Sequence, residues 1–305
     1  MIDFTLIGTA ATMPLPDRAL SSAVLRCAGR TILFDCGEGT QTAARKAHIS
    51  LMKTDLIALT HYHGDHIFGL PGLMQSMNCL GRTEPLYITG PEGIEDELAP
   101  ILSLAGDLQY KVRLITGNVQ LSALNALWPV GATLTAFPTE HRVISCGYAF
   151  TLARPPKFLS EKAKEFGIPV NCWRSLQNGE SVQIGGKVYT PDMVMGNARK
   201  GLSIVFSGDT APCEALLNAA KNADLLVCDA TYAEDEQADL AVLYGHSTFS
   251  QAARLAKAAN VRRLWLTHYS QMINSPEDYL NTVQAIFPDA ECGYDGKAIK
   301  LVFED

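Results

Sequence analysis

Six consecutive residues, His61-Tyr62-His63-Gly64-Asp65-His66, carry three imidazoles and a carboxylate directly behind the apolar run from Asp55 to Thr60. Packing does not account for such a density of ligand-type groups, because each buried imidazole or carboxylate needs a polar partner. A two-metal hydrolytic centre does account for it. His61 and His63, two apart on an extended loop, can turn toward a first ion, while Asp65 and His66 face a second. Gly64 is expected to let the backbone turn tightly between them. Two sites of four or five ligands need further groups, and His141, Asp209 and His268 supply a natural set with Asp209 as the bridge. Five histidines and two aspartates form a nitrogen and oxygen environment that suits zinc, with manganese or iron as alternatives. Two ions about 3.5 to 4 Å apart lower the pKa of a bridging water toward ~7 and clamp both oxygens of a phosphodiester displacement. Asp65 stands where it can orient the nucleophile as well as bind metal.

The elements that must position these groups are short. Apolar runs at Phe4 to Ile7, Ala23 to Leu25, Thr31 to Phe34, Leu56 to Leu59 and Leu86 to Thr89 read as strand cores with turn signals between them. Helical patterns at Leu70 to Leu80, Ala211 to Ala223, Ser250 to Ala259 and Pro276 to Ile286 interleave with strands, which makes the class α/β. Four apolar runs lead to a ligand candidate: Leu56 to His61, Leu134 to His141, Ser203 to Asp209 and Leu264 to His268. Strand ends collect functional groups because loops there hold polar side chains beside a rigid scaffold. The echo of Thr60-His61 in Thr267-His268 hints at two similar halves. Of the seven histidines, only His48 reads as part of an ordinary mixed helix.

At 305 residues, 47% hydrophobic and 19% charged, the composition is globular. The N-terminus lacks a basic n-region and no apolar run approaches the roughly 20 residues of a membrane span, so secretion and membrane insertion are not expected. The eight cysteines are scattered without a C-x-x-C pair, as reduced thiols of a cytoplasm would be. A net charge of -7 argues against a generally basic nucleic-acid binder, yet residues 154–200 hold eight basic residues against four acidic ones. Pro155-Pro156, Gly167-Ile168-Pro169 and Gly185-Gly186 break that stretch into turns, with one short helix expected from Ser160 to Phe166. It reads as an insertion projecting from a single domain that otherwise spans residues 1–305.

The run from His61 through Gly69-Leu70-Pro71-Gly72-Leu73 resembles the metallo-β-lactamase superfamily, specifically its ribonuclease Z branch. Further resemblance lies in Asp35-Cys36-Gly37-Glu38-Gly39-Thr40-Gln41, His141-Arg142-Val143 with Gly147-Tyr148, Phe206-Ser207-Gly208-Asp209-Thr210, Gly245-His246-Ser247-Thr248 and Leu266-Thr267-His268. The resemblance implies an αββα sandwich, two zinc ions, a homodimer, and endonucleolytic removal of 3′ trailers from precursor tRNA. It implies His61, His63 and His141 on one zinc, Asp65, His66 and His268 on the other, and Asp209 between them. Asp35 would lie buried beneath the metal loop, and His246 would assist departure of the leaving oxygen.

Some positions depart from the family pattern. Where the family's His-Glu-Ala-Thr motif orients the leaving-group histidine, this chain reads Cys228-Asp229-Ala230-Thr231, so Asp229 takes the role with a shorter reach. An arginine expected after the last zinc histidine is Met272, which removes one phosphate contact. The loop Pro14 to Ala19 keeps Arg18 and lacks the family's lysine and asparagine. The insertion matches the family's tRNA-binding arm in position and lacks its Gly-Pro element. These losses keep an alternative open, a hydrolase of another ester such as a small phosphodiester or an aryl sulfate. A non-catalytic metal- or RNA-binding relative is disfavoured by the complete ligand set.

Overall fold

The computed structural model describes residues 1–124 and 127–304. These fall into two compact units, Met1–Leu152 with Leu202–Glu304, and Ala153–Gly201. Along the described chain the strands are β1 (Ile2–Gly8), β2 (Ser22–Cys27), β3 (Arg30–Phe34), β4 (Leu56–Ala58), β5 (Leu86–Gly90), β6 (Val112–Thr116), β7 (Ala132–Pro138), β8 (Cys146–Arg154), β9 (Val182–Ile184), β10 (Lys187–Tyr189), β11 (Arg199–Phe206), β12 (Leu225–Asp229), β13 (Leu264–Thr267), β14 (Ala290–Cys292) and β15 (Ala298–Leu301). One seven-stranded sheet runs β15-β1-β2-β3-β4-β5-β6, and a six-stranded sheet runs β14-β13-β12-β11-β8-β7.

Side chains alternate between the two faces of each strand, and here both faces are covered. Phe4, Leu25, Ile32, Phe34 and Ala58 of the first sheet meet Tyr148, Phe150, Ile204, Phe206, Val227 and Trp265 of the second in one buried cluster. The rings of Phe34 and Phe206 stack at 5.3 Å across it. The opposite faces of the first sheet, at Val24, Leu33 and Ile57, pack with Ala43, Leu73 and Leu98 of the helices Thr40–Lys46, Leu70–Cys79 and Ile94–Ala105. Val205, Leu226 and Leu266 of the second sheet likewise pack with Leu216, Ala253 and Val283 of Glu214–Ala220, Phe249–Ala258 and Leu280–Ile286. The result is the αββα sandwich. Burying each Phe or Leu side chain contributes about 1.5–3 kcal/mol, which makes this double core the main source of stability.

The two sheets share a plan. β1 to β3 are antiparallel neighbours followed by parallel β4, β5 and β6. β7 and β8 are antiparallel, and β11 to β14 continue as a parallel run. Matching strand for strand, Asp35 after β3 corresponds to Asp209 after β11, and the segment after β4 corresponds to that after β12. The Thr-His echo does not follow this correspondence, since His61 follows β4 whereas His268 follows β13. The halves are alike in topology, and the dipeptide that hinted at them is coincidental.

The smaller unit holds the helices Ser160–Glu165 and Val170–Gln177 and the β9–β10 hairpin. Its own core is Ala163, Ile168, Leu176, Tyr189 and Val194. Only the first helix was expected from sequence. The second starts at an extended Pro169, a natural entry residue, and Trp173 locks it by donating its indole N–H to the Ile168 carbonyl at 2.9 Å. The proline signal that reads as a turn is here the start of a helix.

Candidate metal centre

The loop after β4 is anchored from below. Asp35, fully buried, accepts the Thr60 backbone N–H at 2.8 Å and binds His66 Nδ1 at 2.8 Å through its other oxygen. A carboxylate only accepts, so His66 carries its proton on Nδ1 and turns Nε2 into the cluster. The same orientation recurs at two other imidazoles. His141 Nδ1 lies 2.8 Å from the Gly245 carbonyl, and His268 Nδ1 lies 2.9 Å from Thr231 Oγ. Strand exits are turned sharply to bring the groups together: Asp35 and His268 have φ of 52° and 63°. Such left-handed conformations cost of order 1–3 kcal/mol for a non-glycine residue and persist where surroundings enforce them. At the third exit Gly208 takes φ 61°, and a Cβ there would stand 2.7 Å from the Thr60 side chain.

All seven ligand candidates converge. Ligand-type atoms of His61, His63 and His141 lie within 4.8 Å of one another, as do those of Asp65, His66 and His268, and those of His61, His66 and Asp209. Asp209 sits between the groups, with Oδ2 3.7 Å from His61 Nε2 and 3.3 Å from His66 Nε2, and Oδ1 3.3 Å from His268 Nε2. Asp65 Oδ2 is 3.6 Å from both His66 Nε2 and His268 Nε2, and the Thr12 backbone N–H donates to it at 2.8 Å. The buried Nε2 atoms of His66 and His268 have no hydrogen-bond partner. A buried polar atom without a partner is costly, and two of them facing the same carboxylates fit a bound cation. The donor set of imidazoles and carboxylates has the chemistry of a metal-binding cluster.

Electrostatics around the protein groups point the same way. Burial, with His66 beside it, holds His61 well below the usual imidazole range, and burial also lowers His63 and His141. All three shifts favour the neutral imidazole, the form that binds a metal. Burial opposes charge on Asp209 and Asp65, but the neighbouring histidines outweigh it and hold both carboxyls below their ordinary values. His66 is the opposite case: burial works against its charge, yet Asp209 and Asp35 lift it well above the usual value.

His246 stands beside the cluster, its ring 5.4 Å from that of His268 and 5.0 Å from that of His141. Its Nδ1 lies 2.7 Å from Asp229 Oδ2, so aspartate reaches the histidine despite its shorter side chain. Burial disfavours a charged His246, but the Asp229 carboxylate prevails and lifts it to about 9. Asp229 is fully buried, and its oxygens also accept the backbone N–H of Thr210 and Thr231. The Thr231 hydroxyl completes a fork, donating to Asp229 at 2.9 Å while accepting from His268 Nδ1.

Other expectations change. Gly64 has no left-handed φ and opens the short helix Gly64–Ile67; a Cβ there would stand 2.3 Å from the Phe68 ring, so glycine makes room for an aromatic side chain. His48 lies beyond the helix Thr40–Lys46 at φ 57°, in a turn. Arg18, kept in the Pro14 to Ala19 loop, is only 9% exposed: its guanidinium donates to the Ile273 and Asn274 carbonyls at 2.9 and 2.8 Å and lies over the Tyr269 ring. It ties two loops together. Met272 is 81% exposed. Sequence reasoning missed Thr12, which acts through its backbone, and assigned no task to Thr231, although that residue stood within the quoted motif.

The cleft beside this cluster has a volume of about 730 Å³ and is lined by Thr12, Phe68, Arg142, Tyr244, His246 and Gln271 among others. Fold and cluster together define a member of the metallo-β-lactamase superfamily, and the family described as "Beta-lactamase superfamily domain" matches residues 177–269, while "Anti-Pycsar protein Apyc1" matches residues 2–142. The ribonuclease Z of Agathobacter rectalis is 41% identical over 305 residues, with all of both chains covered, and that of Clostridioides difficile is 38% identical over the same span. The solved structure of human tRNase Z, short form, aligns with a TM-score of 0.68 and 27% identity over 99% of this chain and 100% of that one. The chain belongs to the ribonuclease Z family.

Proposed function

We propose that this protein is a zinc-dependent endoribonuclease that removes 3′ trailers from precursor tRNA. His61, His63 and His141 would hold one ion, Asp65, His66 and His268 a second, with Asp209 between them. Bound there, the ions supply an activated water and neutralise charge on the phosphodiester. The protein groups do the rest. The Thr12 backbone N–H orients the Asp65 carboxylate, donating to it at 2.8 Å. Asp229 fixes His246 through Nδ1, which leaves Nε2 to deliver a proton to the departing ribose oxygen. The observation that carries the reading is the convergence of seven ligand-type side chains from separate strand ends in a chain that aligns end to end with ribonuclease Z.

The insertion, with its surplus of basic residues, is assigned to the tRNA, on the support of its composition. Exposed Leu240, Val242 and Leu243 on one helix support a homodimer. Eight free thiols support a cytoplasmic protein, and among the described residues no helix is long and apolar enough to cross a membrane.

The test is incubation of the zinc-loaded protein with a precursor tRNA, mapping the cut to the position 3′ of the discriminator base. A second reading, hydrolysis of a smaller ester, is favoured by the inward turn of Arg18 and the exposed Met272, which leave both loops without a free cation. Cleavage of bis-p-nitrophenyl phosphate with precursor tRNA left intact would decide for it.

A further inference from the structure

A cleft that receives a polyanion is expected to be rich in cations, and this one is poor in them. Its lining carries the carboxylates of Glu38, Asp65 and Asp209, and a single arginine or lysine, Arg142. Arg142 is exposed and forms no ion pair among the described residues. Its guanidinium lies 5.4 Å above the Tyr244 ring, which itself lines the cleft. An exposed arginine ordinarily samples many rotamers, and an aromatic face beneath it restricts them while leaving the N–H edges free. Its backbone adjoins His141, so the charge is fixed on the wall of the cleft that also holds His246. Arg18 is spent on backbone carbonyls, and the exposed segment after Gln271 offers Met272.

We infer that Arg142, pinned over Tyr244, is the residue that binds a backbone phosphate of the substrate strand in the cleft. The inference rests on the nucleic-acid reading above. A planar guanidinium presents paired donors to phosphate oxygens, and its loss removes one released counterion per phosphate neutralised. Tyr244 is then a positioning residue, acting through the guanidinium.

The test uses the zinc-loaded full chain and a labelled precursor tRNA with a non-cleavable 3′-methylene phosphonate at the junction, which keeps its negative charge. Dissociation constants are measured by anisotropy across a salt series, beside cleavage of the natural precursor. Arg142→Ala is expected to weaken binding about ten- to a hundredfold and to flatten the slope of log affinity against log salt by about 1. Metal content and melting temperature, measured in parallel, confirm that the variant is folded. Tyr244→Leu is expected to lose about two- to fivefold. Adding Met272→Arg to Arg142→Ala restores a cation at the cleft edge and recovers the slope. An unchanged slope in Arg142→Ala, with wild-type cleavage intact, overturns the inference and leaves the proposed function standing. A flattened slope in a protein that never cuts the natural precursor keeps the inference and removes the function.

Discussion

Two buried aspartates each hold a histidine by Nδ1 at nearly the same distance, Asp35 with His66 at 2.8 Å and Asp229 with His246 at 2.7 Å. In both pairs the carboxylate is fully buried and sets the tautomer. They differ at the other nitrogen. His66 Nε2 is sealed among Asp65 and Asp209 with no hydrogen-bond partner, whereas the His246 side chain is 15% exposed and lines the cleft. Under the proposed function, the same dyad would serve a metal ligand where the far nitrogen meets the carboxylates of Asp65 and Asp209, and a proton carrier where it meets the cleft.

Replacing the histidines gives the largest test of that contrast. His66→Ala should lose bound zinc and about a thousandfold or more in turnover, since each 1.36 kcal/mol of lost stabilisation is a factor of ten. His246→Ala should keep its zinc, read by plasma emission, and lose about 10²–10⁴ in kcat. Equal zinc loss in the two variants would erase the distinction. Replacing the carboxylates comes next. Asp35→Asn should weaken zinc affinity about ten- to a hundredfold, as removal of an outer-shell partner does, with a lower melting temperature because Asn also disturbs the Thr60 contacts. Asp229→Asn should show its main effect in kcat.

Thermal stability sharpens the contrast further. Zinc at a hundred times its dissociation constant should stabilise the wild type by about 2.7 kcal/mol, and His246→Ala should retain that gain while His66→Ala loses most of it. The smallest effect is expected from Thr231→Val, which cuts the link from Asp229 to His268 while leaving Asp229 on His246. A loss of about 1 kcal/mol, one hydrogen bond, is expected in zinc affinity. A larger loss in kcat than in zinc affinity would place Thr231 with the wrong pair.

The seven ligand candidates stood out as imidazoles and carboxylates at the ends of apolar runs, and the structure brings them together. The α/β interleaving was legible in those runs, whereas the αββα order came from the family resemblance alone. Asp229 was legible by its motif. Arg18 was not: a guanidinium looks the same in sequence whether it faces phosphate or two backbone carbonyls. Gly64 was misread because its neighbour in space is the ring of Phe68, four residues on, rather than a turn. The Val170–Gln177 helix was hidden by proline, a residue that both ends and begins helices. Thr12 left no trace at all, because its contact is a backbone N–H.

The fork at Asp229 also limits how this site can be altered. One carboxylate aligns His246 directly and His268 through Thr231, so any substitution there is pleiotropic, changing two functions at once. Substitutions that alter His246 alone are therefore expected among its neighbours outside the fork, such as Tyr232, whose ring is 6.4 Å away. Retuning the leaving-group step for a new substrate should begin at that tyrosine.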